Sequence, residues 1–293
     1  MPELPEVAAL AEQLTQRTAG ATLASADLAA ISVLKTFQPP LSACVGREVA
    51  GVQRRGKFLC WELVGSLWLV MHLARAGWLR WSPTVPAGPA RPGRGPLMLR
   101  LVFADPDGGL LGRCDMTEAG TRKSSSLYVV ADLADVPGIA RLGPDPMAGD
   151  FTAEVLAGIL SAAGRSQIKG VLRDQGTIAG IGNAYSDEIL HAARMSPFKP
   201  ANTLDDADIA ALHGHIRSVL SQALDRARRA RMEDLKDDKR AHLQVHGRTG
   251  GVCPVCGDTV REVSFADSAL QYCPTCQTGG KPLADRRMSR LLK

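Results

Sequence analysis

Two Cys-x-x-Cys pairs near the end of the chain constrain its local fold more than any other feature of the sequence. Cys253 and Cys256 form the first pair, and Cys273 and Cys276 form the second after sixteen intervening residues. Four thiolates on two turns at this spacing suit tetrahedral Zn²⁺. Two disulfides or redox pairs are the alternatives, but the segment is rich in glycine and proline and lacks the strand–helix–strand setting of a redox motif. The sequence therefore predicts one structural zinc ion held by these four cysteines.

Cysteine usage also predicts the compartment. The chain has seven cysteines, and its first residues lack the charged and then apolar segment of a secretory signal. These features predict a reducing cytoplasm. No apolar run is long enough to cross a membrane, so no membrane partner is expected. Cys44, Cys60 and Cys114 are scattered along the chain and are predicted to be small buried hydrophobic side chains.

The first six residues, MPELPE, offer a nucleophile if Met1 is removed, which is expected before a small residue such as proline. Pro2 would then present a secondary α-amine with a reference pKa of about 7.7–8.0, so a sizeable fraction is unprotonated near neutral pH. Condensation with a sugar aldehyde gives an iminium that is cationic without a proton, and Glu3 and Glu6 are adjacent acid/base candidates. The structural alternative is that the two prolines only shape the start of a helix, with Glu6 in its first turn.

The hydrophobic pattern divides the chain into a β-rich first part and a helical second part. The spacing of Val7, Leu10 and Leu14 predicts an amphipathic helix from Pro5 to about Arg17. Runs rich in β-branched, leucine and aromatic residues predict strands at 49–52, 58–64, 67–73, 78–81 and 97–103. Helices are predicted at 152–162, 166–174, 183–193 and 206–231.

Composition predicts where the domains begin and end. The stretch 135–150 is rich in glycine and proline and is interpreted as a linker. It separates a β-rich domain at 1–134 from a helical domain at 151–247, which the cysteine-rich segment 248–277 follows. The net charge is +5, and the residues after Cys276 contribute +4 of it. The end of the chain, 278–293, is therefore interpreted as a basic tail, which either contacts phosphates or stays in solvent.

Three weaker signals are polar groups at element ends. Asn183 follows Gly180-Ile181-Gly182 and precedes a predicted helix, where an N-cap-like side chain and free backbone amides can grip a phosphate, although most such turns only cap helices. The basic turn 54–57, which includes Lys57, is a phosphate clamp or a solvated corner. His72 lies inside an apolar run and by default is a hydrogen-bonded core histidine.

Taken together and in order, these motifs resemble the formamidopyrimidine-DNA glycosylase/endonuclease VIII family. The motifs are the N-terminal Pro-Glu-Leu-Pro-Glu, the Gly-Lys at 56–57, the Met-His-Leu strand at 71–73, the Gly-Ile-Gly-Asn turn and the four cysteines. The resemblance extends from residue 1 to about residue 277. It implies an α+β multidomain fold, with an N-terminal two-layer β-sandwich with flanking helices, a helix–two-turn–helix domain and a C-terminal zinc finger.

The resemblance implies a bifunctional DNA glycosylase/AP lyase that acts as a monomer and associates with the nucleoid of a bacterial-type cytoplasm. Its partner is DNA that contains damaged bases or abasic sites. Pro2 attacks the anomeric carbon, Glu3 protonates the sugar ring oxygen, and the Schiff base permits β- and δ-elimination after the base is extruded. Glu6 supports the active-site hydrogen bonds. By the same match, Lys57, His72 and Asn183 contact phosphates around the flipped nucleotide.

The chain departs from the family where duplex DNA is opened. Members that act on duplexes usually wedge in a methionine three residues after the strand histidine, and an Arg and Phe from an Asp-Pro-Arg-Arg-Phe-Gly motif. Here the first position is Arg75 and the motif is replaced by DMTEAG at 115–120. Glu118 would repel phosphate and fills little of the space left by a base. Arg75 or Trp78 is the candidate replacement, and a preference for single-stranded or opened DNA is one hypothesis.

Two further departures lie near the finger. Ser268 occupies the hairpin position where the family usually has a phosphate-binding arginine, which leaves Arg248, Arg261 or the tail as candidate cations. The segment 238–242 is shorter than the lesion-capping loop of enzymes that recognise 8-oxoguanine. The sequence therefore favours abasic sites, oxidised pyrimidines or ring-opened purines as substrates. Two alternatives stay open, a non-catalytic zinc-dependent binder of damaged DNA and a zinc-ribbon protein with another nucleic-acid role.

Overall fold

The computed structural model describes residues 1–93, 95–119, 123–265 and 268–284. The chain forms two compact units, the first comprising Met1–Arg141 with Arg226–Lys236 and the second comprising Leu142–Asp225 with the residues from Asp237 onward. The division after Arg141 falls inside the predicted linker, and the domain limits themselves remain a prediction. Most of the basic tail, 285–293, lies outside the described residues.

The first unit begins with helix α1, Leu4–Thr18, and continues with eight strands. The strands are β1 (Thr22–Leu28), β2 (Val49–Arg55), β3 (Phe58–Leu63), β4 (Leu67–His72), β5 (Gly77–Ser82), β6 (Leu97–Ala104), β7 (Leu110–Glu118) and β8 (Ser126–Val130). They form two antiparallel sheets with the orders β1–β6–β7–β5 and β2–β3–β4–β8. Apolar side chains from both sheets share one core, so the predicted two-layer β-sandwich is confirmed.

The five predicted strands are present, but the sequence prediction missed β1, β7 and β8. Strand β1 reads TLASADL and has few of the β-branched and aromatic residues that mark strands. Strand β7 contains Gly112 and three charged residues, and one of them, Asp115, pairs with Arg113 on the same strand and with Arg100 on β6. Cross-strand charge pairs therefore stabilise a strand that lacks a hydrophobic outer face.

Helix α1 packs on sheet β2–β3–β4–β8 with its N-terminus at the β2–β3 turn. Thr15 Oγ1 hydrogen-bonds the backbone N–H and C=O of Val52, and Gly20 N–H donates to Val49 O. The helix and β2 therefore run antiparallel. From Thr15 back to Leu4 the helix covers about 16 Å, and β2 covers about 10 Å from Val52 to its last residue before the turn. The start of the chain thus lies at the end of the sheet where β2 turns into β3.

The second unit is helical and ends in a small β-hairpin. Its helices are α2 (Ala153–Ala163), α3 (Ile168–Arg173), α4 (Asn183–Ala192), α5 (Asp206–Arg229) and α6 (Leu235–His242). Strands β9 (Arg261–Ser264) and β10 (Ala269–Tyr272) pair antiparallel, and the short helix α7 (Pro274–Thr278) follows them. The four predicted helices are confirmed, whereas α6 and α7 were not predicted. None of the helices in the described part of the chain is long and apolar enough to span a membrane.

The end of α5 and the residues that follow it belong to the first unit. Met232 and Leu235 are buried in the sandwich core beside α1. Gln13 on α1 donates to the carbonyl of Ala230 at 2.9 Å, and the carboxylate of Glu12 pairs with the guanidinium of Arg228 at 2.7 Å. These contacts hold the end of α5 and the residues after it against α1.

The three scattered cysteines are buried in the first unit, as predicted. Burial raises the pKa of Cys44 to about 11 and the pKa values of Cys60 and Cys114 to about 12. Thiols with such pKa values stay protonated at neutral pH and are poor nucleophiles. These cysteines therefore act as small core side chains.

Candidate active site and zinc finger

The N-terminus of the chain is held by a reciprocal capping box. Glu3 is the N-cap of α1, and its side chain accepts a hydrogen bond from the backbone N–H of Glu6. In return Glu6 Oε2 accepts from the backbone N–H of Glu3 at 2.8 Å. Both carboxylates are 2 % exposed, and Pro2 is also buried, whereas Met1 is 46 % exposed. The capping box therefore fixes the backbone one residue after the candidate nucleophile and leaves Met1 accessible.

Lys57 and His72 lie at the same end of the sheet as the N-terminus. Strands β2 and β3 are joined by the two-residue turn Gly56-Lys57, in which Gly56 has φ +55°. Phe58, the first residue of β3, pairs with His72 on β4, and the two rings are in contact at a tilt of 39°, with centroids 4.7 Å apart. Lys57 is 7 % exposed. The sheet register therefore brings a buried lysine and a histidine to the end where Pro2 and Glu3 lie.

His72 is neutral at physiological pH. Burial lowers its pKa, and the positive charge of Lys57 lowers it further, to about 4. A neutral imidazole donates one hydrogen bond and carries no charge. His72 is half-buried rather than enclosed in the core. Its position is therefore compatible with both predictions for it, a hydrogen-bonded core histidine and a phosphate contact. Arg75 is exposed on the turn that follows β4.

Asn183 lies at the first residue of α4 and contacts the finger hairpin. The sequence predicted it as the N-cap, which is wrong, because Gly182 is the N-cap and no side chain caps this helix. Asn183 Nδ2 instead donates to the carbonyl of Ala269 on β10 at 2.7 Å. Its Oδ1 is buried and has no hydrogen-bond partner among the described residues. The turn therefore holds an amide with one acceptor left unused.

The four cysteines of the predicted zinc site converge in the second unit. Their Sγ atoms all lie within 4.8 Å of one another. The Sγ–Sγ distance is 3.9 Å between Cys253 and Cys276 and 3.3 Å between Cys256 and Cys273, well beyond the S–S bond of about 2.05 Å. Four sulfur ligands at zinc bond lengths are about 3.8 Å apart on a tetrahedron. The donor set and its geometry thus fit zinc, and they do not fit two disulfides.

Comparison with known proteins agrees with this geometry over nearly the whole chain. The family model of the formamidopyrimidine-DNA glycosylase N-terminal domain matches residues 1–121, the model of the H2TH domain of the same glycosylase matches residues 142–233, and a zinc finger model matches residues 250–279. The formamidopyrimidine-DNA glycosylase of Symbiobacterium thermophilum is 36 % identical over 98 % of this chain and 93 % of its own length. The chain belongs to the formamidopyrimidine-DNA glycosylase family. The family and the fold predicted from the sequence are confirmed, and the chain is an enzyme of the DNA glycosylase/AP lyase type with a zinc finger.

Two further relatives place this glycosylase within the family. An uncharacterized formamidopyrimidine-DNA glycosylase-like protein of Mycobacterium tuberculosis is 58 % identical over 55 % of this chain and the whole of its own length. The crystal structure of the Lactococcus lactis formamidopyrimidine-DNA glycosylase, bound to DNA that contains an AP site, has a TM-score of 0.80. It is 28 % identical and the match covers 94 % of this chain and 99 % of that one.

A buried ion-pair network, which the sequence prediction missed, connects α3, α4 and the finger of this glycosylase. Lys169 Nζ donates to Asp187 Oδ1 at 2.6 Å, to Ser186 Oγ at 2.8 Å and to the carbonyl of Asn183 at 3.1 Å. Asp187 Oδ2 pairs with His246 Nδ1 at 2.7 Å and accepts from the backbone N–H of Gln271 at 3.2 Å. Asp187 is fully buried. In the sequence, this network could have been suspected from a lysine and an aspartate that stand among the apolar residues of two predicted helices.

Replacing Lys169 by methionine is expected to destabilise the second unit by about 3–5 kcal/mol, because the Asp187 carboxylate stays buried without its cation. The matched control is Lys199→Met, which removes an ion pair with Asp208 whose side chains are about one-third exposed. That change should cost less than about 1 kcal/mol. The free energies are measured by urea unfolding, and equal losses in the two variants would contradict this role of the buried pair.

Glu118 does not face solvent as the sequence prediction assumed. It is 1 % exposed, and its carboxylate accepts hydrogen bonds from Ser124 and Ser125. The assumption of an exposed side chain is therefore wrong, and the repulsion of phosphate by Glu118 stays a prediction. The tip of the finger hairpin holds a second difference. Arg173, at the end of α3, places Nη1 3.5 Å from Ser268 Oγ, so an unpredicted cation lies at the position without the family arginine.

Arg248 lies beside α6 and not at the hairpin tip. Its Nη2 donates to the carbonyl of Ala241 at 2.9 Å, and its side chain is exposed. A cation at the C-terminal end of a helix complements the helix dipole. Arg248 therefore has a local structural partner in addition to any contact with DNA.

Proposed function

We propose that this glycosylase excises damaged bases through a Schiff base on Pro2 and then cleaves the strand by β,δ-elimination. The observation that carries the proposal is the capping box, which fixes Glu3 and Glu6 at the buried start of α1, one residue after the candidate amine. A positioned carboxylate beside a secondary amine is the combination that the reaction requires. Lys57 and His72 at the same end of the sheet supply the donors for the substrate's phosphates.

The reaction begins after Met1 is removed and the Pro2 nitrogen is unprotonated. The nitrogen attacks C1′ of the extruded nucleotide, and the bond from C1′ to the base breaks as the N–C1′ bond forms. The Pro2 nitrogen releases its proton to the Glu3 carboxylate, and Glu3 passes this proton to the ring oxygen O4′. The C1′–O4′ bond breaks, so the sugar opens and the nitrogen becomes an iminium. The iminium makes the C2′ proton acidic. Loss of that proton expels the 3′ phosphate, and a second elimination expels the 5′ phosphate.

Glu6, Lys57 and His72 have supporting roles in the proposal. Glu6 accepts the backbone N–H of Glu3 and so keeps the acid in place. Lys57 contributes a buried positive charge for a phosphate oxygen, and His72 contributes a neutral N–H donor because its pKa is about 4. Asn183 and Arg248 of the second unit, and exposed Arg75 of the first, are further proposed DNA contacts. Such contacts position the strand without reading its sequence.

The proposed substrates are abasic sites, ring-opened purines and oxidised pyrimidines, rather than 8-oxoguanine alone. The segment that would cap a larger lesion is held in place in this chain. Lys239 Nζ lies 4.4 Å from the ring centroid of Tyr185, and Glu188 accepts three backbone N–H groups from 244–246. Related Lactococcus lactis structures hold an abasic site and a Fapy-dG in their DNA. A short, anchored segment favours substrates that need no mobile cap.

The deciding experiment is borohydride trapping with matched single-stranded and duplex oligonucleotides, each carrying an abasic site or one oxidised base. A covalent adduct on protein whose mass confirms loss of Met1 is the expected result. A higher yield on single strands would support the proposed preference for opened DNA. DNA binding without an adduct on any substrate would support the alternative of a non-catalytic damage binder, which the missing wedge residues favour.

Arg173 is proposed to replace the finger arginine as a phosphate contact. Arg173→Ala is expected to weaken DNA binding equally for all sequences and to lower the slope of log K against log salt by about 0.9, the value for one phosphate contact. Arg165→Ala removes the same charge from an exposed position between α2 and α3 and serves as the control. Fluorescence anisotropy titrations at several salt concentrations measure both slopes, and equal slopes would exclude a specific contact.

A further inference from the structure

Two loops at one end of the β-sandwich are linked by Ser125, which also hydrogen-bonds the buried carboxylate of Glu118. The β4–β5 turn comprises residues 73–76, and the loop after β7 includes the described residues Ala119 and 123–125. Glu118, the last residue of β7, pairs with Gly77 at the start of β5. It is 1 % exposed, although both of its neighbouring segments are loops.

The Glu118 carboxylate is saturated with hydrogen bonds from a single loop. Ser124 N–H donates to Oε1 at 2.9 Å and to Oε2 at 3.0 Å, Ser124 Oγ donates to Oε1 at 2.8 Å, and Ser125 N–H donates to Oε2 at 3.0 Å. Lys123 Nζ also donates to the Glu118 carbonyl. Burial by itself would raise the pKa of Glu118, but the hydrogen bonds from Ser125 and Ser124 outweigh it and lower the pKa. The group is therefore a carboxylate at neutral pH.

The same network continues into the β4–β5 turn. Ser125 Oγ donates to the carbonyl of Leu73 at 3.1 Å, and Gly77 N–H donates to that carbonyl at 2.8 Å. A Cβ at Gly77 would collide with the Leu73 carbonyl and lie 2.5 Å from Ser125 Oγ. Ala74 inside the turn has φ +48°, a conformation that non-glycine residues rarely adopt. The turn is thus held in a strained form by its contacts with the second loop.

We propose that Glu118 is a positioning residue that couples the two loops, so that Arg75 and Lys123 are presented to duplex DNA as one rigid pair of cations. The inference rests on the proposed function. Extruding a base costs a few kcal/mol, and loops ordered in advance do not add their own ordering cost to it. Single-stranded DNA has no stacked duplex to open, so its processing depends less on this rigidity. Glu118 thereby affects how efficiently the enzyme processes duplex DNA relative to single-stranded DNA.

The test compares Glu118→Gln with the control Glu62→Gln. The glutamine side chain has the same shape as glutamate. Its NH₂ group, however, would face backbone N–H groups that donate hydrogen bonds to the carboxylate in the wild type. Glu62 is on β3, at the other end of its sheet, where its carboxylate accepts from Gln53 at 2.9 Å. Trypsin cleavage after Lys123 in the free protein reports whether the loop is held. The ratio of cleavage efficiency on duplex to that on single-stranded abasic DNA reports whether the coupling serves DNA opening.

Glu118→Gln is expected to accelerate cleavage after Lys123 about tenfold and to lower the duplex-to-single-strand ratio about tenfold, as for the loss of one hydrogen bond to a charged group. Glu62→Gln should change neither. An unchanged trypsin rate, or equal losses on both DNA forms, would overturn the proposal. If Glu118→Gln does not fold, Ser125→Ala, which removes the hydrogen bond to the Leu73 carbonyl, should lower the ratio in the same direction. If the wild type cleaves neither substrate, the proposed function fails, and the same ratio is measured from binding affinities.

Discussion

Pro2→Gly, with Met1 removed in both proteins, is expected to reduce borohydride-trapped adduct on abasic DNA by a factor on the order of 10³, less than the roughly 10⁶ that loss of a nucleophile costs. Glycine supplies a primary amine, whose imine must be protonated before it can act as an electron sink. It also lacks the ring that fixes the direction of the nitrogen. DNA affinity should stay within about twofold, because the change removes no cation.

The matched control is Pro5→Ala, which tests whether the prolines only shape the helix. Pro5 is in the first turn of α1 and is buried like Pro2, but its nitrogen is inside the chain and cannot be a nucleophile. Adduct yield with Pro5→Ala should remain within about twofold of the wild type, since a well-capped helix tolerates alanine in its first turn. Equal losses in the two variants would contradict the Schiff-base proposal. Intact-mass measurement of each protein confirms the state of Met1.

Removal of the metal is expected to unfold the finger and to weaken DNA binding by about 100-fold or more. The apolar core of the finger is small, with Val245 and Val260 beside the cysteines, and Val263, Leu270 and Tyr272 in the hairpin. Structural zinc supplies about 10–16 kcal/mol of apparent binding energy in zinc-finger peptides, which such a core cannot replace. The unfolded hairpin would also release the Ala269 carbonyl from Asn183 and the Gln271 amide from Asp187.

Cys273→Ala and Cys114→Ala form a matched pair for this prediction. Both cysteines are 1 % exposed or less, but Cys273 is a candidate ligand and Cys114 is a core side chain of β7. Metal analysis should find about one zinc per chain in the wild type and in Cys114→Ala, and much less in Cys273→Ala. DNA affinity should fall only in Cys273→Ala. Retained binding in a metal-free Cys273→Ala protein would exclude a structural role for zinc in DNA recognition.

The parts of the fold that follow from local patterns were predictable. The capping box needs only Glu3 and Glu6 at their spacing, so the start of α1 is encoded within four residues. The four predicted helices of the second unit have regular apolar spacing. Strand β7 was not predictable in this way, because ion pairs of Asp115 with Arg113 and Arg100 stabilise it, and Arg100 reaches Asp115 only in the paired sheet. Strand β1 was missed because it has few β-branched and aromatic residues.

The candidate site likewise has features that follow from the sequence and features that depend on the folded chain. The sequence by itself determined the family and the thiolate set of the finger, and it supplied the acid/base candidates, because these depend on residue identity and spacing. Only the tertiary structure decided which charges are buried and with what partner. Glu118, a surface charge in the sequence, is a buried acceptor for Ser124 and Ser125, and Lys169 is the cation of a buried network. The energy of a charge depends on its distance to other groups and on the water removed from it, and neither quantity exists until the chain has folded.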